Sequence, residues 1–273
     1  MSLTFPGSPL ATQLPEEVNF NVDAPAHRLF MYPFPRRVRA TFGGETVLDT
    51  DRGQLLHESN LLPQLYVPWE DVRRDLLTPT EHHTNCPFKG DASYWSLTVG
   101  GRTLENVVWS YPTPIQQASW LSPYAAFYWE PLDAWYDEEE RVHGHLRDPF
   151  HRTDVRQTGR LVRVTAGERL LAESRRAKVL SETGLPNRWY VPVDDCQVEL
   201  LTPTETRTHC PYKGFASYYA LADHPGGGDV AWSYDDPFDG MLEIEGYLSF
   251  YGDQVEVAID GKVVDTHWPP RNR

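Results

Sequence analysis

The sequence predicts an all-β protein made of two tandem, small antiparallel barrel or sandwich domains that are related by internal duplication. The first observation is a long motif that occurs twice, from Leu76 to Tyr94 and from Leu200 to Tyr218. The second is a succession of short strand-like segments separated by glycine and aspartate turns. The third is the near absence of the 3.6-residue apolar period that amphipathic helices show. Repetition over such a length indicates two copies of one domain.

The repeated motif reads Leu-Leu-Thr-Pro-Thr-Glu-x-x-Thr-x-Cys-Pro-(Phe/Tyr)-Lys-Gly-x-Ala-Ser-Tyr. It recurs at an offset of 124 residues. Of the 20 aligned pairs from Leu76/Leu200 to Trp95/Tyr219, 14 are identical. The offset becomes 123 downstream, where Trp109-Ser110-Tyr111 matches Trp232-Ser233-Tyr234. Upstream, Glu58 matches Glu182. Each copy therefore spans about a hundred residues, which is a common domain size.

We expect four segments along the chain. The N-terminal segment contains six prolines, which is too many for a long helix because proline lacks the backbone N–H donor. The segment between the repeats is rich in charge and histidine, which is typical of an exposed linker. The predicted boundaries are an extended Pro-rich arm at 1–36, the first repeat domain at 37–140, a linker at 141–159 and the second repeat domain at 160–268.

Turn residues predict where the hairpins lie. Segments 38–42 and 46–49 flank Gly43-Gly44-Glu45, and the equivalent segments of the second copy, 161–165 and 169–172, flank an Ala-Gly-Glu turn. A third strand pair is predicted on the two sides of Gly100-Gly101, within 94–111. These pairs all favour antiparallel sheets.

Two further local predictions concern the second copy and the helical turns. Segments 247–251 and 255–259 are expected to form a hairpin around Gly252-Asp253, followed by the Asp-Gly turn at Asp260. One short helical turn is expected after Trp69 or Val193, where acidic residues follow that would serve as caps.

Charge and composition exclude several functions. The chain has 25 basic and 39 acidic residues, a formal charge of −14, so we expect no nucleic-acid partner. No apolar stretch approaches the roughly 20 residues that cross a bilayer, and the N-terminus lacks a signal peptide, which predicts no membrane association and a cytoplasmic location. Of the three cysteines, Cys86 and Cys210 hold equivalent positions, which argues against a disulfide framework.

Cys86 and Cys210 are the sharpest chemical candidates. A lysine three residues later, Lys89 or Lys213, would favour the thiolate, and His209 would act on Cys210 in the same direction. This pattern is compatible with an enzyme in which Cys210 is a nucleophile or redox thiol and the first repeat is degenerate, but the sequence favours a structural role for the turn and, after that, a ligand contact. The structural alternative is a tight turn with a small buried cysteine, a glycine at an unusual backbone angle and a lysine stem that covers aromatic neighbours.

Aromatic residues provide the other candidate site. Flat side chains with one polar tip suit a small-molecule pocket in which a glutamate, an arginine and the motif lysine orient the ligand, although they equally suit the filling of a small barrel. Trp109 and Trp232 are expected to lean toward the core. The predicted ligand-binding residues are Glu58, Tyr66, Cys86, Lys89, Tyr94 and Tyr111 in the first copy and Arg176, Glu182, Tyr190, Cys210, Lys213, Tyr218 and Tyr234 in the second.

No metal site and no cofactor are predicted. Each copy has a single motif cysteine, with His82 and His83 near it in the first copy but His209 in the second, so the copies share no four-ligand set for zinc. His143, His145 and His151 form a loose cluster in the linker and are expected to be solvated.

The segment Cys-Pro-Tyr-Lys-Gly-x-Ala-x-Tyr, with a threonine two residues before it and Trp-Ser-Tyr-x-x-Pro after it, resembles the bacterial domain of unknown function family 427. The upstream glutamate, the Tyr-x-Pro element and the terminal Asp-Gly hairpin extend the resemblance over nearly all of both repeats. It implies an all-β, mostly bacterial, soluble module without an established role. The first copy departs from the pattern at Phe88, Asn85 and Asp137-Glu138, which puts equal activity of the two copies in doubt.

Some members of that family carry a nucleotidyltransferase-type label, which these residues do not support. Such an enzyme requires paired carboxylates for magnesium and a loop that cradles phosphate. No close acidic pair is repeated in both copies, and the Lys-Gly step lacks a Gly-x-x-x-x-Gly start.

The sequence therefore predicts a small-molecule-binding or scaffold module with a pocket beside the Cys-Pro-Tyr-Lys-Gly turn, with the Cys210 enzyme as the alternative. The expected partner is a small-molecule ligand. The two repeats are expected to pack about a pseudo-two-fold axis, as in a dimer of single-repeat chains, and a homodimer is a further expectation.

Overall fold

The computed structural model of the chain describes Leu3 and residues 17–21 and 23–266, and it separates two compact units between Phe150 and His151. In each unit the described residues form two antiparallel sheets, one of seven strands and one of four. The predicted all-β duplication is confirmed. The sheets are open and pair as in a sandwich, so the barrel alternative is not the one adopted by the described residues.

The described residues of the first unit form eleven strands. They are β1 (Leu29–Pro33), β2 (Val38–Phe42), β3 (Glu45–Thr50), β4 (Gln54–Glu58), β5 (Gln64–Pro68), β6 (Leu77–Cys86), β7 (Gly90–Val99), β8 (Arg102–Ser110), β9 (Tyr124–Phe127), β10 (Ala134–Asp137) and β11 (Glu140–Val142). The large sheet has the order β1-β4-β5-β9-β8-β7-β6, and the small sheet has the order β11-β10-β2-β3. Short 3-10 helices occur at Trp69–Asp71, Arg74–Leu76 and Gln116–Leu121.

The second unit repeats this plan strand for strand. Its strands are β12 (Thr153–Gln157), β13 (Val162–Ala166), β14 (Arg169–Ser174), β15 (Lys178–Glu182), β16 (Arg188–Pro192), β17 (Leu201–Cys210), β18 (Gly214–Leu221), β19 (Asp229–Ser233), β20 (Tyr247–Phe250), β21 (Glu256–Ile259) and β22 (Lys262–Val264). The sheet orders, β12-β15-β16-β20-β19-β18-β17 and β14-β13-β21-β22, match those of the first unit. The 3-10 helices are Val193–Asp195, Val198–Leu200 and Asp239–Ile244.

Three of the predicted strand pairs are confirmed. β2 and β3 pair across Gly43 and Gly44, which have φ angles of 59° and 83°. β13 and β14 form the equivalent pair in the second unit, and β7 pairs with β8 across the next Gly-Gly step. Glycine suits these turns because a positive φ costs it little.

The predicted hairpin around Gly252-Asp253 is wrong. β20 lies between β16 and β19 in the large sheet, whereas β21 pairs with β13 and β22 in the small sheet. Because both edges of β20 are already occupied, β21 has no free edge there, and the chain crosses to the other sheet. The hairpin that does form is β21–β22, across Asp260-Gly261.

The helical turns after Trp69 and Val193 are confirmed as 3-10 helices, but no described side chain caps either of them. The acidic residues bond elsewhere: Asp71 accepts from Thr50 Oγ1 at 2.6 Å and from the Arg52 guanidinium. None of the described helices combines the length and apolar character needed to cross a bilayer.

Strands occupy part of the segments that we assigned to the arm and the linker. β1 lies within 1–36 and pairs with β4, while β12 lies within 141–159 and pairs with β15. The two strands are counterparts at the offset of 124, so each unit begins with the same edge strand. The one proline of β1, Pro33, is compatible with this place because edge strands tolerate a missing donor.

The large sheet has two apolar faces. On the inner face Val38 and Phe42 of the small sheet share a core cluster with Leu55 and Val67. Neighbouring strand residues point to opposite sides, so an adjacent residue such as Leu56 belongs to a second cluster on the outer face. That outer cluster carries the tyrosines of the candidate site.

Candidate functional site

The Cys-Pro-x-Lys-Gly segment forms a tight turn between β6 and β7 and again between β17 and β18. The lysine amide donates to the cysteine carbonyl in both copies, Lys89 to Cys86 and Lys213 to Cys210, at 3.2 Å. The glycine that follows has a φ of 106° at position 90 and 112° at position 214, which confirms the expected unusual backbone angle. The turn therefore fixes where the lysine side chain begins.

A second contact anchors this turn to the loop after β8 or β19. The Lys213 carbonyl accepts the Phe238 amide at 3.1 Å, and the first unit has the equivalent bond. A Cβ atom on Gly214 would lie 3.2 Å from the Asp236 carbonyl oxygen. Glycine is needed here both for the backbone angle and for this close approach.

Replacing Gly214 by alanine is expected to destabilise the protein by about 1–3 kcal/mol, because the left-handed φ and the close carbonyl add strain. Urea unfolding of the full chain measures the change. Gly240→Ala is the matched control, since nothing lies within 4 Å of its added Cβ atom. Equal midpoints for the two variants would contradict the role of the turn.

In the first unit a trio forms around the buried Glu58, the last residue of β4, with a buried lysine and a partly exposed histidine. Glu58 Oε1 lies 2.7 Å from Nε2 of His27, and the Lys89 ammonium donates to Oε2 of the same carboxylate. The side chains of Glu58 and Lys89 are each 10% exposed. The His27 ring stacks on Phe88 with the ring centroids 3.7 Å apart.

The second unit contains the same trio. Lys213 Nζ lies 2.7 and 2.6 Å from the two carboxylate oxygens of Glu182, and His151 Nε2 lies 3.1 Å from Oε1. The side chains of His151 and Glu182 are 2% and 6% exposed. Tyr212 takes the place of Phe88 beside the histidine, with the ring centroids 4.2 Å apart. The structure thus joins the predicted Glu and Lys residues directly in both copies.

Both histidines are functional candidates. The sequence reasoning missed His27, and its expectation that the linker histidine His151 is solvated is wrong, because that side chain is only 2% exposed. His27 and His151 are 124 residues apart, and an arginine follows each of them. The amide of that arginine donates at 2.9 Å to a side-chain hydroxyl in both units, Arg28 to Ser59 and Arg152 to Thr183. Extending the offset into the arm and linker would have found the pair.

Opposing influences set the charge of Glu182. Burial alone would raise the pKa of this carboxyl group, but the hydrogen bond from His151 and the ammonium of Lys213 outweigh it and lower the pKa to about 2. Glu182 is therefore ionised at neutral pH. It is suited to hold cationic or donor groups in place rather than to exchange protons near pH 7.

Acid is expected to remove the stability that this carboxylate contributes. Since the folded pKa of about 2 lies below the ordinary 4.5, the contribution is present above pH 4.5 and is lost as the pH falls toward 2. Urea midpoints at pH 5 and pH 3 should fall further apart in wild type than in Glu182→Gln. Glu168→Gln, which changes an exposed glutamate, is the control and should show the same difference between the two midpoints as wild type. The assignment is contradicted if Glu182→Gln also shows the wild-type difference.

Tyrosines cover the outer face beside each trio. The predicted residues Tyr66 and Tyr190 are 2% and 0% exposed, so they form a buried floor. The groups that act on the charge of Tyr66 include Glu58 and Cys86, which places the floor next to the trio and the turn. Trp232 Nε1 donates to Tyr190 OH at 3.1 Å.

The other predicted tyrosines complete this surface. Tyr94 OH lies 2.9 Å from Thr84 Oγ1, and Tyr218 OH lies 2.8 Å from the equivalent Thr208 hydroxyl. Burial raises the pKa of Tyr66, Tyr111, Tyr190 and Tyr234, so these phenols stay neutral. Each remains a hydrogen-bond donor over the physiological pH range.

Partly exposed aromatic rings form a rim above the floor. Trp109 lies 4.7 Å from Tyr128, and Trp232 lies 4.9 Å from Tyr251, measured between ring centroids. Tyr128 is 49% exposed. The tryptophans are only half-buried, so they lie closer to solvent than the tyrosine floor does.

The predicted partners of Cys210 make contacts with other groups. Lys213 binds both carboxylate oxygens of Glu182, and the His209 ring packs on Phe215 at 4.7 Å. Neighbouring strand residues point to opposite faces, so His209 and Cys210 do not share a face. Cys210 itself packs with the outer-face aromatic cluster, as its equivalent in the first unit does.

Arg176 is not part of the trio. Its guanidinium is paired with Asp195, and the side chain is 60% exposed. It lines a separate cleft with Pro192 and Tyr247. Within the described part of the chain, no group of three or more histidine, cysteine or acidic side chains is arranged to hold a metal ion.

A sequence model of the family described as Domain of unknown function (DUF427) matches residues 31–138 and 154–261. The chain belongs to the DUF427 family. The two DUF427 matches coincide with the two sandwiches, and the resemblance read from the motif is confirmed as a tandem repeat. His27 and His151 lie just before the start of each DUF427 match. No curated protein matches the chain.

Proposed function

We propose that each DUF427 repeat binds a small molecule on the outer face of its large sheet, beside the Cys-Pro-x-Lys-Gly turn. The observation that carries this proposal is the His-Glu-Lys trio next to an aromatic floor, which occurs in both units with the same partners.

The energetics of buried charge favour a positioning role for the trio. Removing a carboxylate and an ammonium from water costs several kcal/mol per ion, and well-packed apolar residues often stabilise a fold equally well. Glu182 nevertheless stays ionised at neutral pH beside Lys213, in a site where each side chain is at most 10% exposed. Perturbed, buried charges beside a concave or aromatic surface are typical of binding sites.

The surface indicates the general chemistry of the ligand. The Tyr66 and Tyr190 rings are buried, so they support this surface from beneath and a ligand would contact the more exposed aromatic rings around them. The partly exposed Tyr218 hydroxyl can donate a hydrogen bond. The half-exposed Trp109 and Trp232 offer rings on which a planar molecule can stack. These features together favour a small planar ligand that carries hydrogen-bond acceptors.

Thermal unfolding of the full chain with uncharged aromatic probes tests the proposal. We expect benzamide, phenol or indole at millimolar concentration to raise the Tm of wild type, because a ligand that binds only the folded state stabilises it. The double variant Trp109→Phe/Trp232→Phe should lose most of that increase.

The control is Trp95→Phe, which alters a tryptophan that packs on the inner core instead. Its probe-induced shift should equal that of wild type. The proposal is contradicted if none of the probes raises the wild-type Tm, or if the double variant responds as strongly as wild type.

A further inference from the structure

Two glutamines of the first repeat are replaced by cations in the second. Gln54 and Gln64 correspond to Lys178 and Arg188 at the offset of 124. The strand registers agree with this alignment: Gln54 pairs with Tyr66 in the first unit, and Lys178 pairs with the equivalent tyrosine in the second. The second repeat therefore has two additional positive charges on the strands that carry the proposed site.

Both cations lie on the outer, aromatic face. Arg188 is two residues before Tyr190 on β16, so the two side chains point to the same side of the sheet. The Arg188 guanidinium carbon lies 5.4 Å from the centroid of the Trp232 ring. Lys178 is opposite Tyr190 on the neighbouring strand, and its ammonium lies 4.7 Å from the Tyr247 ring centroid.

The guanidinium of Arg188 is half-buried and has no carboxylate partner among the residues that the structure describes. Its hydrogen bond goes to the Thr266 carbonyl oxygen at 2.5 Å, and among the described residues no carboxylate lies within 4 Å of it. Arg160 and Arg176 of the same unit, by contrast, are each paired with an aspartate. Arginine presents five N–H donors in a planar fork that fits a carboxylate, so donors of Arg188 remain for a ligand.

Burial also makes this guanidinium costly without an anion. It lowers the pKa of Arg188, although the more distant charges of Glu182 and Asp265 act in the opposite direction. Those two carboxylates would also repel a ligand with a double negative charge, such as a phosphate dianion. A ligand with a single negative charge would be attracted by Arg188 and repelled less by these two carboxylates.

We propose that the second repeat binds a planar monocarboxylate, with the carboxylate on Arg188 and the ring against Trp232 and Tyr251. This inference rests on the proposed aromatic site and specifies its ligand in one repeat only. Lys178 adds attraction from the neighbouring strand. The first repeat, with Gln54 and Gln64, takes uncharged planar molecules instead.

Calorimetric titration of the full chain with benzoate and with benzamide tests the assignment, because the two probes share size and shape but differ in charge. We expect wild type to bind benzoate about 10-fold or more tightly than benzamide in the second repeat, in line with the strength of hydrogen bonds to charged groups. Arg188→Gln, which reproduces the residue of the first repeat, should remove this preference, because it weakens benzoate binding far more than benzamide binding.

Two further variants keep the result interpretable. Arg163→Gln removes the same charge from the small sheet and should leave the preference intact. Arg188→Lys keeps the charge but loses the fork, so it should reduce the preference and provides a second test if Arg188→Gln does not fold.

The outcomes distinguish failure of the Arg188 assignment from failure of the proposed aromatic site. Benzoate binding no tighter than benzamide binding, or a preference that survives Arg188→Gln or falls equally in Arg163→Gln, overturns the Arg188 assignment and leaves the aromatic site in place. Absence of binding by both probes overturns the assignment together with the proposed function.

Discussion

Replacing Lys213 by methionine is expected to destabilise the second unit by about 3–5 kcal/mol, because it leaves the buried charge of Glu182 without its cation. The Glu182 side chain is 6% exposed, so water cannot replace the lost ammonium. Methionine fills a similar volume, which limits the contribution of a cavity. Differential scanning calorimetry of the full chain measures the change.

Two comparison variants separate this effect from a general loss of charge. Lys213→Met combined with Glu182→Gln should recover much of the stability, because the double variant no longer buries an unpaired ion. Lys178→Met removes a partly exposed lysine of β15 whose ammonium donates to the Glu243 carbonyl oxygen, an uncharged acceptor, and it should cost far less. Equal losses of stability in Lys213→Met and Lys178→Met would show that Glu182 and Lys213 do not form the buried ion pair described above.

Replacing Tyr190 by alanine is expected to cost about 3–5 kcal/mol, as large-to-small substitutions of buried aromatic rings do. The residue is 0% exposed and forms the floor of the second site. Tyr190→Phe keeps the ring and removes only the acceptor for Trp232 Nε1, so it should cost about 1 kcal/mol. Equilibrium unfolding in urea compares the two variants.

The same pair of variants also reports on the site. Tyr190→Phe should leave the far-ultraviolet circular dichroism spectrum unchanged, so any change in probe binding can be assigned to the hydroxyl group. A Tyr190→Ala variant that loses no more stability than Tyr190→Phe would contradict the description of this ring as a packed floor.

Local turn chemistry made much of the fold predictable. The Gly-Gly steps at Gly43-Gly44 and Gly100-Gly101 located two hairpins, since few other residues accept the required φ. The prediction of a hairpin around Gly252-Asp253 was wrong because the pairing of these strands depends on which strand edges are free. The edges of β20 are occupied by β16 and β19, which are distant from it in sequence, so no local sequence pattern predicts this pairing.

Several residues of the candidate site could be predicted from the sequence, but the contacts between them could not. Glu58 and Lys89 stand out because they belong to the duplicated pattern, but their ion pair depends on the pairing of distant strands. Arg176 was assigned to the same site, whereas it pairs with Asp195, an alternative carboxylate that the sequence offers equally well. His151 was hidden because it lies in a segment whose charge suggested a linker.

Native mass spectrometry of the freshly purified full chain tests the central claim most directly. The mass is measured under native conditions and again after denaturation, so that a molecule held by the folded repeats is detected as a difference. The account predicts extra mass in the native state, corresponding to at most one small molecule per repeat, which disappears on denaturation. A bare chain mass under native conditions, even after equilibration with benzoate and benzamide, would contradict it.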